Sequence, residues 1–444
     1  MKLSEEPILP DVLSALQLRT LNEPLLPNLR TLKFTEAPAD IIPFIPLFLS
    51  RRTTRIYIHF TTSPPAVMIA SVIINLSTLC PHMQNIALQT LPNESTITHA
   101  VSEMLLACNA DTLRVLHVDS ALTEEARQVV YRLPNLHALR STIRDPATPL
   151  LEVSLPNLAQ LLIEYHHGHD WLQAFHGATL SKLAEVAVYA QCEEIGDFLE
   201  AFESVAIATS ASTTLLAFEF YTSRPWNPNY YSLLSFRQLR RLIIEFSCHD
   251  GCSSRVDDDI ILTLARAMPK LEILLLGKTP CQAPTNVTVQ GLIALAHHCP
   301  GLSKLCVHFQ TETLVVLAFT EAISPPGGGS HPPPEGCALT NLVVGEIPLL
   351  QPYLVVVVLT LLRIFPRLIV IEYVNEEWRW VAETVRLSKR IDTFIRRSGK
   401  MHWPSIPRHT VTPQQNTRSI PETRRRMGRV EGSLQLRPPA YAQL

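Results

Sequence analysis

Two short clusters in this chain carry side chains that can bind metal. Residues 165–170 read YHHGHD and residues 248–252 read CHDGC, which offer imidazole, thiolate and carboxylate groups of the kind that ligate zinc. Each cluster directly follows a stretch with the alternation of a β-strand, where polar loop residues are expected in any case. The two strands are three repeat steps apart, so one shared site is hard to build. We therefore predict solvated loops at both places, with no metal and no cofactor.

A glycine run is the remaining candidate for ligand chemistry. Residues 324–336 read SPPGGGSHPPPEG. A phosphate-binding loop needs Lys-Ser or Lys-Thr after its glycines and then a helix N-terminus, and this segment has neither. We predict a flexible insertion. The chain also contains no Gly-x-Ser-x-Gly elbow and no His-Glu-x-x-His pair, so the sequence predicts a protein that is not an enzyme.

The composition narrows the class of function. A chain of 444 residues with 46% hydrophobic content can bury a large core. Its 38 Lys and Arg against 40 Asp and Glu give a net charge of −2, which lacks the basic excess of a general nucleic-acid binder. The nine cysteines are odd in number and mostly lie among apolar residues, which favours a reducing compartment over a disulfide framework.

Neither a signal peptide nor a membrane span is expected. The N-terminal sequence MKLSEEPILPD has acidic residues and prolines where a signal peptide has an apolar run. The most apolar stretch, Leu349–Phe365, offers only ten residues between Pro352 and Arg363, too few to cross a bilayer core of about 30 Å. We predict a buried helix there and a cytoplasmic or nuclear location for the protein.

The elements that must position these residues follow from one recurring motif. Leu26–Phe34 reads LPNLRTLKF, and a close relative at Cys299–Val307 reads CPGLSKLCV. Stripped down, each copy is Pro-x-Leu-x-x-Leu-x-apolar, and looser copies lack the proline. Twelve copies are well supported, and TTRIYI at Thr53–Ile58 is a weaker thirteenth. The first anchors, from Leu29 to Leu368, give a mean period of about 28 residues, within the range of leucine-rich repeats.

The motif predicts the fold. Alternation after the anchor is typical of a short strand with one buried face, and segments such as Asp257–Leu271 and Val287–Leu302 have the apolar spacing of helices that end at a proline. No single unit can bury its own apolar face, so neighbours must stack. We predict an α/β leucine-rich-repeat solenoid, a horseshoe with a parallel sheet on the concave face and helices on the convex face. The alternative, an all-helical HEAT-type solenoid, is disfavoured by the proline and by the β-type alternation.

The repeats resemble those of a known family. Val287–Phe309 resembles the cysteine-containing subtype of leucine-rich repeat, and both Cys299 and Cys80 stand before their strands, where that subtype places its cysteine. The subtype is typical of F-box/LRR proteins, which recruit substrates to a cullin-type ubiquitin ligase. Residues from about 10 to 375 look like the fungal group of these proteins with irregular repeats. The resemblance implies a protein–protein interaction scaffold, similar to the substrate-recognition part of such a ligase subunit, with a protein substrate on the concave face.

The F-box itself is not evident in this chain. That mostly helical module precedes the repeats, whereas here the first strand is expected near Leu29 and only Leu9–Leu13 echoes the LPxxL opening of an F-box. Either the F-box is lost or the chain is a truncated form of a longer relative. A Skp-type adaptor and a cullin are expected partners only if an F-box lies upstream, and no membrane or nucleic acid is expected. The alternative function is an LRR interaction scaffold with no ubiquitin-ligase link.

The alternation also predicts which side chains face a partner. Strand residues between the anchors are expected to point out from the concave sheet, and four glutamates in neighbouring central repeats predict an acidic stripe with tyrosines beside it. Charged and aromatic side chains are typical of protein-binding surfaces, although exposed strand positions are polar regardless of function. The candidate partner-binding residues are Arg55, Tyr57, His59, Glu164, Glu185, Tyr189, Glu219, Tyr221, Arg241, Glu245, Lys304 and His308.

The chain divides into four parts by these patterns. The last helix is expected to cap the solenoid with an apolar face made of Trp378, Val381, Val385 and either Leu387 or Ser388. The tail after it has seven arginines and two glutamates without apolar periodicity. The predicted parts are an N-terminal cap segment at 1–25, a solenoid of about 12–13 irregular repeats at 26–374, a capping helix at 375–400 and a disordered basic tail at 401–444.

Overall fold

A computed structural model gives the fold. The chain divides into one compact unit, Met1–Thr393, and a second, Phe394–Leu444, of which the structure describes only the end of a helix. The described residues are 10–20, 23–37, 39–60, 65–143, 155–165, 180–190, 215–222, 230–246, 256–277, 286–323, 337–344, 347, 349, 353–373 and 375–398.

Thirteen strands form a single parallel sheet in the described part of the first unit. Each strand pairs with the next one along the chain, so the sheet runs from β1 to β13 without a crossover and is open at both edges. A strand follows in every predicted copy of the motif, the weak TTRIYI copy included. The predicted α/β solenoid with one parallel sheet is thereby confirmed. The strands are β1 Thr31–Ala37, β2 Arg55–Phe60, β3 Asn85–Gln89, β4 Val115–Val118, β5 Ala138–Ile143, β6 Gln160–Tyr165, β7 Glu185–Ala190, β8 Ala217–Thr222, β9 Arg241–Phe246, β10 Ile273–Leu276, β11 Lys304–Val307, β12 Asn341–Val344 and β13 Val370–Tyr373.

The register places equivalent motif positions side by side. Apart from a bulge after Phe34 in β1, the paired residues continue from strand to strand without a slip. Because successive side chains of a strand point to opposite faces, the second position of every strand falls on the same, inner face. All thirteen second positions are buried apolar residues, each of which contributes about 1.5–3 kcal/mol to folding. They are Leu32, Ile56, Ile86, Leu116, Leu139, Leu161, Val186, Phe218, Leu242, Leu274, Leu305, Leu342 and Ile371.

Most of the strand connections that the structure describes contain a helix, which returns the chain from the end of one strand to the start of the next. Asp257 and Thr288 cap two of them through side-chain oxygens that accept from the N–H groups of Ile260 (2.9 Å) and Gln290 (3.1 Å). The described α-helices are α1 Pro10–Thr20, α2 Ala66–Leu79, α3 Ser95–Ala107, α4 Glu124–Val130, α5 Asp258–Ala267, α6 Val289–His298, α7 Thr311–Ile323, α8 Leu354–Ile364 and α9 Glu377–Ser398, and two 3-10 helices span Ile42–Phe48 and Tyr230–Ser235. Four of the described α-helices, α2, α5, α6 and α8, end two residues before a proline, as the prediction that proline stops the helices requires.

The two C-terminal helices of the described part differ in detail from the prediction. Helix α8 buries one face, but Val355 and Leu359 on its other face are 58% and 63% exposed, so it is only partly the buried helix expected from its composition. No helix among the described residues is long and apolar enough to span a membrane. In α9, Trp378 and Val385 are fully buried as predicted. Of the two residues predicted as alternatives for the last position of this face, Ser388 is half-buried, whereas Leu387 is 57% exposed because it lies two residues beyond Val385, about 200° around the helix.

Trp378 anchors α9 to the last repeats. Its indole Nε1–H donates to the carbonyl oxygen of Ile347 (2.9 Å), and its ring lies edge-on against Phe309 with ring centroids 6.1 Å apart. A buried indole needs such a polar partner, since an unsatisfied N–H in the core costs free energy. The contact supplies apolar cover for the end of the repeat core.

Candidate partner-binding face

The strand face opposite the buried core carries the predicted site residues. We call it the ladder face; it consists of the first, third and fifth positions of each strand, counted so that Leu32 of β1 and Leu161 of β6 are second positions. All twelve candidate residues occupy these positions, and all are half-buried or exposed. First positions are Arg55, Glu185, Arg241 and Lys304; third positions are Tyr57 and Glu219; fifth positions are His59, Glu164, Tyr189, Tyr221, Glu245 and His308.

The twelve residues do not form one compact site. Neighbouring strands lie about 4.8 Å apart, so β2 and β11 are separated by roughly 43 Å of sheet. Seven candidates lie together on β6 to β9, whereas Arg55, Tyr57 and His59 lie on β2, and Lys304 and His308 lie on or directly after β11. The central seven therefore define the candidate site.

An arginine that the sequence analysis missed organises one side of this site. Arg140, at the third position of β5, forms an ion pair with Asp119 (3.0 Å between Nε and Oδ1), and its terminal nitrogen donates a hydrogen bond to Oε1 of Glu164. Oδ2 of Asp119 accepts a hydrogen bond from the backbone N–H of Thr90 (3.1 Å). The backbone of Thr90 has a φ of 59°, in the left-handed region. Burial raises the pKa of Asp119 more than Arg140 lowers it. The motif alternation assigns Arg140 and Asp119 to the same face, so the sequence held the signal that would have found them.

Two stacked tyrosines form the centre of the site. Tyr189 of β7 and Tyr221 of β8 occupy paired fifth positions, with ring centroids 4.4 Å apart and an interplanar angle of 4°. The Tyr221 hydroxyl donates to Oε2 of Glu219 (2.7 Å), and Oε1 of the same carboxylate forms an ion pair with the Arg241 guanidinium (2.7 Å). Burial and the bond to Glu219 raise the pKa of Tyr221, and burial and the Glu219 charge raise that of Tyr189. Both phenols therefore stay protonated as hydrogen-bond donors at neutral pH.

The predicted acidic stripe exists as a row of carboxylates that cations partly neutralise. The first, third and fifth positions of β6 to β9 hold four glutamates and one arginine, a formal balance of one minus four, or −3. Glu219 is paired with Arg241, Glu164 with Arg140 from outside the four strands, and Glu185 accepts from Gln160 Nε2 (3.0 Å). The surface is thus a connected polar network with an acidic excess, more structured than a simple stripe.

From β9 onward the side chains at the third positions of the ladder face change in type. The third positions of β9 to β12 are apolar, and two of them, Ile243 and Cys306, are buried. On the edge strand β13, Glu372 forms an ion pair with Lys304 (3.5 Å) and accepts a hydrogen bond from the side-chain amide of Asn341 (2.6 Å). The list of candidate residues, chosen for charge and aromaticity, missed this apolar section: Ile243, Leu275, Cys306 and Val343.

Clusters of metal-ligating side chains and the state of the thiols can be read from the described residues. No cluster of three or more His, Cys, Asp or Glu side chains occurs among them. The candidate metal loops at 166–170 and 248–252, the insertion at 324–336 and the tail at 401–444 lie outside the described residues. Burial raises the pKa of Cys80 to about 11 and the pKa of Cys299 to about 12, which leaves both thiols in the unreactive protonated form.

Comparison with known proteins adds no identification. The chain matches no family model, and a search of curated proteins finds no match either.

Proposed function

We propose that this protein is an interaction scaffold that binds a protein partner on the ladder face. The observation that carries the proposal is the cluster on β6 to β9, where half-buried charged side chains surround a stacked tyrosine pair on an open sheet face. Tyrosine and arginine are enriched at the energetic centres of protein interfaces, because they combine apolar contact area with directional hydrogen bonds.

The charged side chains of the candidate site already contact one another in the unbound protein. Glu219 is held by both Tyr221 and Arg241, and Arg140 is held by both Asp119 and Glu164. A surface with fixed rotamers loses less side-chain entropy on binding, at about 0.5–1.5 kcal/mol for each side chain that is already immobile. Such preorganisation favours recognition over a merely solvated polar face.

The repeat pattern supports a proposal for the class of this scaffold. We propose leucine-rich repeats of the cysteine-containing subtype, in which a buried cysteine links consecutive units. Cys299 is fully buried, and its Sγ lies 3.7 Å and 3.6 Å from the carbonyl oxygens of Ala265 and Met268 in the preceding unit. On the resemblance to F-box/LRR proteins, the scaffold would serve as the substrate-recognition part of a cullin-type ubiquitin ligase. The alternative is the same scaffold with no ligase link.

Affinity capture of the full-length protein from its native cells tests both the proposed binding face and the proposed ligase role. Charge reversal in the pair Glu219→Lys and Glu245→Lys is expected to remove the main partner, since it converts a face with a balance of −3 into one of +1. Glu103→Lys, an exposed glutamate on helix α3, is the matched control and should retain the partner. Circular dichroism and the unfolding midpoint establish that the three proteins are folded. An unchanged set of captured proteins in the double variant would refute the ladder face as the binding surface.

The same capture separates the two assemblies. A Skp-type adaptor and a cullin recovered with the wild type, and still recovered with the double variant that loses its substrate, support the ligase role. Recovery of the partner without adaptor or cullin supports the scaffold with no ligase link.

A further inference from the structure

We propose that two copies of this chain associate through the outer side of helix α9, which packs antiparallel against its equivalent in the other copy. The contact surface, which we call the outer stripe, consists of Trp380, Thr384, Leu387 and Ile391. The inference goes beyond the proposed function, because it uses no residue of the ladder face. It follows from the exposure of the stripe, from its spacing and from the order of charges along the helix.

The outer stripe lies on the side of α9 that faces away from the repeat core. Trp378 and Val385 are buried, whereas Trp380 and Leu387 each lie two residues further on, about 200° around the helix, and are exposed. Ile391 is exposed as well. In the part of the chain that the structure describes, no other helix exposes three large apolar side chains. Single exposed apolar residues are common on proteins, but three aligned on one helix face indicate a contact surface.

The spacing of the stripe suits packing against a second helix. Its members are separated by four, three and four residues, which is the a/d spacing of a coiled coil. In an antiparallel pair centred on the stripe, Trp380 of one copy meets Ile391 of the other, and Thr384 meets Leu387. Each of the four layers therefore contains at least one large apolar side chain. Thr384 fits such a layer because its hydroxyl donates to the carbonyl oxygen of Trp380 in its own helix (2.8 Å), which leaves its methyl group for the partner.

The order of charges along α9 favours a second copy in this orientation. Within the overlap centred on the stripe, residues 376–385 carry one arginine and three glutamates, a balance of −2. Residues 386–395 carry three cations and one aspartate, a balance of +2, and two arginines at 396 and 397 extend the basic half. Antiparallel pairing brings opposite charges together at both ends, whereas parallel pairing would oppose like charges. The helix is therefore complementary to its own copy, and its acidic half disfavours an anionic membrane as the occupant.

One pair of charges flanks the stripe at equivalent positions. Glu383 and Arg390 are both exposed, and each directly precedes a member of the stripe. Such flanking positions meet across an antiparallel pair, so Glu383 of each copy would meet Arg390 of the other. Within its own helix, Glu383 bonds through Oε1 to Nε of Arg379 (3.3 Å), so that Oε2 can accept from the partner. An exposed ion pair contributes little by itself, but this one occurs twice in a symmetric dimer.

Sedimentation velocity of the full-length chain, from about 1 to 100 µM, tests the proposal. One helix face is at the low end of interface sizes, so we expect a weak dimer with a Kd on the order of 10 µM. Leu387→Glu places a carboxylate in both inner layers and should leave the chain monomeric over this range. Leu359→Glu, at a similarly exposed leucine on α8, is the matched control and should dimerise like wild type. Because both leucines are exposed, circular dichroism and the unfolding midpoint should be unchanged in the two variants.

Exchange of the flanking charges tests the antiparallel orientation. Glu383→Arg and Arg390→Glu should each weaken self-association by about tenfold, because both symmetric pairs become repulsive. The variant that carries both changes should recover wild-type affinity within about twofold, since opposite charges meet again. An equimolar mixture of the two single variants should recover it for the same reason. Weakening without recovery in either the double variant or the mixture would overturn the antiparallel dimer.

Three results of the sedimentation experiment would overturn the proposal. They are a monomer at the highest concentration, a dimer that persists in Leu387→Glu, and a loss of the dimer in Leu359→Glu as large as in Leu387→Glu. Flotation with vesicles of phosphatidylcholine and phosphatidylserine covers the other occupant. A wild-type chain that stays monomeric but binds these vesicles, and a Leu387→Glu variant that does not, would assign the stripe to a membrane surface and likewise overturn the dimer.

Discussion

A carboxylate that joins two repeats offers the sharpest test of how this fold is held together. Asp258, in the first turn of α5, accepts three hydrogen bonds from the start of α6: from Thr288 N–H (2.8 Å), from Thr288 Oγ1–H (2.6 Å) and from Gly291 N–H (3.0 Å). It thus satisfies N–H groups that have no partner within their own helix, and its charge lies at the positive end of the α6 dipole.

Gly291 is the residue that makes room for this carboxylate. A Cβ added at Gly291 would lie 2.6 Å from Oδ1 of Asp258 and 3.0 Å from Cγ1 of Val287. Within a helix, alanine is normally favoured over glycine by about 1 kcal/mol. Here the added methyl group must displace the carboxylate, and hydrogen bonds to a charged group contribute about 1.5–3 kcal/mol each. We expect Gly291→Ala to lower the free energy of unfolding by about 1–2 kcal/mol.

The sign of that effect should reverse when Asp258 is removed. Asp258→Ala alone should cost about 3 kcal/mol, since the three bonds are not additive and water replaces part of them. In that background Gly291→Ala meets only Cγ1 of the buried Val287 side chain, at 3.0 Å, which must shift by a few tenths of an ångström. Part of the helix propensity of alanine is lost to that shift, so the net gain should be about 0.5 kcal/mol.

Urea unfolding of the four proteins of this cycle, with hydrogen exchange at the α6 amides, measures both effects. Hydrogen exchange is needed because repeat proteins can unfold unit by unit, so the loss should concentrate in α6 and its neighbours. Equal destabilisation by Gly291→Ala in both backgrounds would refute the reasoning, because the conflict would then not involve Asp258.

Three other predictions follow from the buried groups. Trp378→Ala should lower the free energy of unfolding by about 3–5 kcal/mol. Trp378→Phe should lower it by about 1–2 kcal/mol, because phenylalanine keeps the packing but leaves the Ile347 carbonyl without its donor. Trp380→Ala, on the exposed side of the same helix, is the control and should change the unfolding midpoint little. Burial lowers the pKa of both His117 and His308, so below about pH 6.5 the unfolded chain binds more protons than the folded one. The unfolding midpoint should therefore fall on acidification. It should fall less in a variant that carries both His117→Gln and His308→Gln. Burial also raises the pKa of three thiols, so mass spectrometry after alkylation at pH 8 should show them labelled at least tenfold more slowly in the native state than in urea; they are Cys80, Cys108 and Cys299.

The sheet could be predicted from the sequence because the motif fixes its register. Equivalent positions of successive copies pair directly, even though consecutive anchors are 22 to 37 residues apart. The one weak copy was weak for a physical reason. Thr53 stands where other copies have an apolar first anchor, and it is buried nonetheless, because its hydroxyl donates to the carbonyl of Leu29 (3.0 Å) in the preceding unit. A hydrogen bond replaces apolar contact there, and no hydrophobic pattern can indicate such an exchange.

The side-chain pairing within the candidate site could not be predicted in the same way. Alternation told which residues share a face, and all twelve candidates do share it. The bond of Arg140 to Asp119 and Glu164 runs diagonally between a third position and two fifth positions, so it depends on side-chain rotamers rather than on backbone register. Leu387 shows a different limit on a helix, since its side chain is the more apolar of the two alternatives but helical spacing from Val385 favours Ser388, and the structure follows the spacing.

The two faces of the strands are under different constraints, which is why the residues proposed to bind a partner can concentrate at β6 to β9. Inner positions tolerate only apolar residues of suitable volume, because each must fit both neighbouring units. Ladder positions carry no such constraint, so adjacent units can hold different side chains without loss of the fold, as the change from Glu219 to Ile243 and Leu275 at successive third positions shows. Glu164, Tyr189, Tyr221 and Glu245 owe their proximity to a register that the core enforces. Substitutions among them should therefore change what the face binds while leaving the stability of the sheet nearly intact.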